Sequence, residues 1–174
     1  LFGHLRLSII GVESVNAKQP ICDKNYMLIY NGEIYNYTEL QKRLQDINVV
    51  CSGESDTEVL FLCLVHFGIK KTLKIIDGMF AFAFYDDLKK KLYLARDRIG
   101  EKFIYWSKIN NSLIFASEIK TLVQCNKINI KPNLKKINEI FYHRKIYGKE
   151  TLFENIFELE AGTYLEYTIK ESKI

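Results

Sequence analysis

The chain has 174 residues, of which 48% are hydrophobic and 26% charged, with a formal net charge of +4. That is enough apolar material to pack one domain and too much for a disordered chain. No apolar run approaches the roughly 18 residues of a membrane-spanning helix, and the first residues do not read as a signal peptide, so neither a membrane span nor secretion is expected. The charge is unevenly spread: eight Lys or Arg and one acid, Glu139, lie between Lys120 and Lys149. No nucleic-acid motif accompanies them, so the stretch reads as a solvated surface and no nucleic-acid partner is expected. Cys22, Cys51, Cys63 and Cys125 form no C-x-x-C pair and have no His at ligand spacing. Reduced thiols in a cytoplasmic protein, and no metal site, follow from that pattern.

In chain order, residues 4–10 alternate polar and apolar side chains and residues 26–30 are apolar; both read as strands. Asn31-Gly32, between apolar residues 27–30 and Ile34-Tyr35, is a strong hairpin signal. Asn36, with Glu39 three positions on, predicts a capping box opening a helix that runs to about Leu44. Ser55 and Glu58 repeat the box before a buried helix at residues 59–65, closed by Gly68. Residues 78–85 and 91–95, joined by a turn at 86–90, predict a hairpin. Residues 103–106 and 112–116, joined through Asn110-Asn111, predict another. Pro132 opens a helix carrying basic residues, and residues 162–169 close the chain as a strand. Antiparallel pairs interleaved with helices give an α+β layered class rather than a doubly wound parallel sheet.

Three polar groups stand at the ends of these elements. Arg6 can grip a carboxylate through two parallel N–H bonds, or form a surface ion pair. Asn31, Gly32 and Glu33 set an amide, a bare backbone N–H and a carboxylate side by side, which suits a developing oxyanion beside a polar substrate. Asp56 is at the first helical position after Ser55, where the helix dipole favours a carboxylate, and could accept from an ammonium group. Taken together, the set fits an α-amino acid with a side-chain carbonyl.

Six motifs then occur in order: Gly3-His4-x-Arg6-Leu7-Ser8-Ile9, Asn31-Gly32-Glu33-Ile34-Tyr35-Asn36, Ser55-Asp56-Thr57-Glu58, Gly78-Met79-Phe80-Ala81-Phe82-Ala83, Leu94-Ala95-Arg96-Asp97-Arg98-x-Gly100 and Phe115-Ala116-Ser117-Glu118-Ile119-Lys120. Together they resemble the class II glutamine amidotransferase domain of the glutamine-hydrolysing asparagine synthetase family. Thr151-Leu152-Phe153-Glu154-Asn155-Ile156 and Glu160-Ala161-Gly162-Thr163-Tyr164-Leu165 resemble the segment that closes that domain. The resemblance implies an N-terminal-nucleophile hydrolase αββα sandwich, two antiparallel sheets between helical layers, with residues 1–174 forming one amidotransferase domain. It also implies that glutamine is the substrate. Arg6 would clamp its α-carboxylate, with Leu7, Ser8, Ile9 and Ile10 lining the same wall. Asp56 and Glu33 would hold the ammonium end, and Asn31 and Gly32 would form the oxyanion hole. Ammonia would pass to a C-terminal synthetase domain on the same polypeptide, and homodimerisation is left open.

Three departures qualify the resemblance. The family's nucleophile is a cysteine at the first position of the mature protein, whereas position 1 here is Leu1 and none of the four cysteines is terminal. The N-terminal segment is thus expected to be missing, unordered or lost, and the 174 residues alone are expected to bind glutamine without turning it over. The sequence also has no Ser-Gly-Gly-x-Asp-Ser loop, so ATP and Mg are expected only of a synthetase domain and no cofactor of this one. Glu101-Lys102-Phe103 lacks the proline that usually follows the lysine, which should disturb only a strand entry. Two rival readings share the pocket: a non-catalytic glutamine-binding or regulatory module, and a glutaminase domain serving a different acceptor.

Overall fold

The computed structural model describes Gly3 and residues 19–52 and 55–174. The predicted strand at residues 4–10 lies outside the described residues, and Arg6, Leu7, Ser8, Ile9 and Ile10 with it. Strand β1 is Ile21–Cys22, and β2 is Tyr26–Ile34. β2 pairs antiparallel along its whole length with β3, Gly78–Asp86, from Tyr26 opposite Asp86 to Ile34 opposite Gly78. Asn31-Gly32 therefore sits inside a strand, and the predicted hairpin does not form. The apolar alternation explains why: Leu28, Tyr30 and Ile34 are all buried on one face, and a turn at Asn31-Gly32 would break that register.

Two glycines allow these strands to meet closely. Gly32 has φ +147° and Gly78 has φ +152°, conformations that side chains disfavour. A Cβ on Gly32 would lie 2.0 Å from the Met79 carbonyl oxygen, and one on Gly78 would lie 2.1 Å from that of Glu33. Each glycine thus makes room for the other strand's backbone.

Helix α1 is Tyr37–Gln45 and α2 is Asp56–Ile75. Gly68 breaks the helical backbone at φ 75°, but helix resumes beyond it to Ile75, so it is a kink rather than the end. Strands β4 (Lys91–Arg96), β5 (Tyr105–Ile109) and β6 (Ser112–Ala116) form the expected hairpins with slightly shifted bounds. Helices α3 (Ile119–Val123) and α4 (Leu134–His143) follow, then β7 (Phe157–Glu158) and β8 (Tyr164–Thr168). α4 starts after Pro132, with Asn133 as its cap: the Asn133 side chain accepts from the Lys136 N–H.

Among the described residues the strands form a five-stranded sheet, β1-β2-β3-β4-β8, and a three-stranded sheet, β6-β5-β7, with every pairing antiparallel. One face of the larger sheet (Leu28, Tyr30, Phe80, Phe82, Phe84) packs under α1 and α2 through Leu40, Leu44, Leu60 and Leu64. Its other face (Ala81, Ala83, Leu94, Leu165) meets Trp106, Leu113 and Phe115 of the smaller sheet. The far side of that sheet is covered by Leu122, Ile128 and Ile156. This is the αββα order the resemblance implies.

Neither predicted capping box is built. Asn36 precedes α1 but spends its side chain on Ile75 and Asp77, donating to the Ile75 carbonyl and accepting from the Asp77 N–H. Glu58 accepts from the N–H and hydroxyl of Ser52. These side chains bind groups on other segments in place of the local caps. Asp97, just after β4, is a second organiser. Its buried carboxylate accepts from the N–H groups of Phe80, Ile99, Gly100, Glu101 and Lys102. Burial raises its pKa, but those bonds outweigh it and hold the group below its ordinary value.

A group with a depressed folded-state pKa stabilises the fold above its unfolded value and loses that contribution as pH falls through the folded one. Asp97 should therefore support stability fully above the ordinary value of 3.8 and progressively less below it. Urea titrations at several pH values should show Asp97→Asn less stable at pH 7 and less acid-sensitive than the parent chain. Gly78→Ala, which forces a Cβ against the Glu33 backbone, should cost at least about 2 kcal/mol of unfolding free energy in the same assay.

Candidate active site

The register of β2 decides which way its backbone groups face. Asp97 N–H donates to the Phe80 carbonyl at 2.8 Å, and Asp97 Oδ2 accepts from the Phe80 N–H at 3.3 Å. Both polar backbone groups of Phe80 are thus turned toward β4 and away from β2. Gly32, the partner of Phe80, must then belong to a non-hydrogen-bonded pair, with its own N–H and carbonyl turned to the opposite edge. The same phase holds two residues away on each side. Tyr30 N–H donates to Gln19 Oε1 at 2.5 Å, and Gln19 Nε2 donates back to the Tyr30 carbonyl at 2.7 Å. Ile34 N–H donates to Asp56 Oδ2 at 3.1 Å.

One edge of the strand therefore carries three donors in a row: the outer two are seated on side chains, and Gly32 lies between them. Among the described residues no acceptor meets the Gly32 N–H. Period-two alternation places Asn31 and Glu33 on the face toward the smaller sheet, opposite Ala81 and Met79, and Asn31 is exposed. Asp56 approaches from the other face. It is buried, and its Oδ2 also accepts from the Tyr30 hydroxyl at 2.8 Å. Burial, and then the Asp56 charge, push the Tyr30 phenol well above the usual tyrosine range, so it stays a donor at any ordinary pH.

Of the sequence-predicted site residues, the structure thus gathers Asn31, Gly32, Glu33 and Asp56 around four residues of β2. Arg6, Leu7, Ser8, Ile9 and Ile10 fall outside the described residues. Gln19 and Tyr30 were not among the candidates. Tyr30 was readable in principle, since a tyrosine on the buried side of an alternating strand needs a partner for its hydroxyl. Gln19 had no comparable signal, because nothing local marks a side chain that acts as a strand partner.

Two of the four cysteines are poor nucleophiles as placed. Burial pushes the Cys63 thiol up to about 12, and burial with the Glu58 charge raises that of Cys51. Cys125 packs with Leu122 and Ile128 on the far sheet, and Cys22 is exposed on β1. A cavity of about 200 Å³ is also distant from this edge, lined by Tyr105, Ile119, Glu150, Leu152, Phe153 and Glu158. Among the described residues no three His, Cys, Asp or Glu gather where a metal could sit, and no helix is long and apolar enough to cross a membrane.

The sequence model of the glutamine amidotransferase domain matches residues 1–174. The chain belongs to this family. The amidotransferase domain is 36% identical over 171 residues to asparagine synthetase [glutamine-hydrolyzing] 1 of Bacillus subtilis, covering 97% of this chain and 26% of that protein. It is 37% identical to asparagine synthetase [glutamine-hydrolyzing] 2 of the same organism, covering 97% of this chain and 23% of the relative. The domain thus spans about a quarter of the length of these relatives. Among solved structures, glutamine phosphoribosylpyrophosphate amidotransferase from B. subtilis superposes with a TM-score of 0.58 at 17% identity, covering 95% of this chain and 34% of that one. That likeness identifies the fold as the N-terminal-nucleophile amidotransferase sandwich.

Proposed function

We propose that this domain hydrolyses the side-chain amide of glutamine and supplies the ammonia to a synthetase domain on the same, longer polypeptide, which makes asparagine from aspartate and ATP. The observation that carries the reading is the edge of β2, where an outward N–H at Gly32 lies beside the Asn31 amide and next to a carboxylate held by Tyr30 and Ile34. Membership of the amidotransferase family and the similarity to two asparagine synthetases support it.

In this reading Arg6 pairs with the α-carboxylate of glutamine, and Leu7, Ser8, Ile9 and Ile10 line the pocket beside it. Asp56 and Glu33 hold the α-ammonium. A cysteine thiolate at the N-terminus of the mature polypeptide, upstream of Leu1, attacks the amide carbon. The resulting oxyanion is met by the Asn31 amide and the Gly32 N–H. The carbon–nitrogen bond then breaks, ammonia leaves, and water hydrolyses the thioester to glutamate and free thiol. ATP and Mg serve the synthetase domain and take no part in these steps. Four free cysteines fit a cytoplasmic location.

Asn31→Ala in the natural full-length polypeptide should lower glutamine-dependent kcat by about 10²–10³-fold, the usual loss for one oxyanion donor. KM for glutamine should change little, and synthesis driven by added ammonia should be unaffected. Unchanged glutaminase activity would remove the oxyanion assignment. The 174-residue chain alone is expected to release no glutamate from glutamine; release would show that another group is the nucleophile.

A further inference from the structure

Among the described residues, one oxygen of Asp56 is fully engaged and the other nearly free. Oδ2 accepts from both the Tyr30 hydroxyl and the Ile34 N–H, at 2.8 and 3.1 Å. Among the described residues Oδ1 meets only the Thr57 hydroxyl, at 3.5 Å, the limit of a hydrogen bond. A carboxylate anchored through one oxygen by two donors from one strand cannot rotate without breaking both bonds, so Oδ1 keeps a fixed position. Tyr30 is itself fixed from the other side. Its ring is buried in the core beneath α1 and α2, and its backbone N–H and carbonyl are both held by the Gln19 side-chain amide. Gln19, Tyr30, Asp56 and Ile34 thus form a continuous chain of bonds around Gly32.

We propose that Tyr30 is a positioning residue for recognition of the substrate ammonium: its hydroxyl, backed by Gln19, orients Asp56 so that Oδ1 is presented to the α-amino group of the amino-acid ligand. This rests on the amino-acid reading of the site. A hydroxyl bonded to an ionised carboxylate is among the stronger hydrogen bonds, and its loss would free Asp56 to turn about the single remaining bond from Ile34. The effect should appear only with ligands that carry an ammonium. Tyr30 touches no part of the substrate in this arrangement, so it acts through Asp56.

The test compares L-glutamine with glutaramate, the same molecule without its α-amino group, by calorimetric titration of the 174-residue chain. Tyr30→Phe keeps the ring in the core and removes only the hydroxyl. It should weaken glutamine binding about tenfold while leaving glutaramate within about twofold of its original affinity. Asp56→Asn, run in parallel, should abolish the preference for glutamine over glutaramate. Two results overturn the positioning role while leaving the amino-acid site standing: unchanged glutamine affinity in Tyr30→Phe alongside a loss in Asp56→Asn, or equal weakening of both ligands in Tyr30→Phe. If Asp56→Asn itself leaves the preference intact, or the parent chain binds neither ligand, the amino-acid reading falls and this inference with it.

Discussion

The close approach of β2 and β3 at Gly32 and Gly78 fixes where every other group of the candidate site lies. Backbone atoms sit where two Cβ atoms would otherwise be, so the strands are locked in one register. A slip by one residue would place Ala81 against Gly32 and turn Leu28, Tyr30 and Ile34 out of the core. Asp97 holds the other side of the same strand, binding both polar groups of the Phe80 backbone. The neighbouring Arg96 then ties this sheet to the second one. Its guanidinium donates to Glu158 and to the Leu159 carbonyl, and also to the Gly100 carbonyl, while lying 4.5 Å from the Phe103 ring. Removing Glu158 from this network would leave the buried Arg96 charge without its ion-pair partner.

At α1 and α2, polar side chains near the helix ends bind other segments rather than capping the helix. Asn36 ties the start of α1 to the end of α2, Glu58 holds the loop at Ser52, and Asp56 joins the start of α2 to β2. Arg98 extends the pattern by donating to the carbonyls of Leu73, Lys74 and Ile76 at the other end of α2. α2 is therefore stitched at both ends to the edge of the sheet that carries the site. The kink at Gly68 lies between these two anchors, so the first half of the helix takes its orientation from Asp56 and the second from Arg98.

Much of this was legible in the residues, and two of the misses share one cause. The hairpin at 78–95, the second hairpin through Asn110, the alternation of β2 and the helix starting at Asp56 all follow from local patterns. The turn at Asn31-Gly32 and the capping box at Asn36 were local patterns as well, and both lost to distant partners, since Gly32 pairs with Phe80 and Asn36 with Asp77, whereas Glu58 turns to Ser52 close by in the chain. Glycine in that position was informative for the wrong reason: it was needed for two strands to approach, not for the chain to turn. The candidate residues were chosen for their chemistry, an amide, a bare N–H and carboxylates, which does not depend on whether they sit on a turn or a strand. Gln19 and Tyr30 stayed hidden because their importance lies in what they hold.

The strand setting also changes what Gly32 can offer. On a tight turn an exposed N–H is free to wander with the loop, whereas on β2 it is the middle of three donors spaced by the strand's own period. Gln19 occupies the donor before it and Asp56 the donor after it, so each neighbour is held by a side chain that cannot reach the centre. The near side of Gly32 is filled by the β3 backbone, which leaves the outer edge as the direction from which an acceptor can arrive. A donor fixed in this way need not reorganise when negative charge develops beside it, and that absence of reorganisation is the source of most electrostatic stabilisation in such sites. In the proposed oxyanion hole the glycine is doubly determined, by the strand that passes behind it and by the N–H left uncrowded in front.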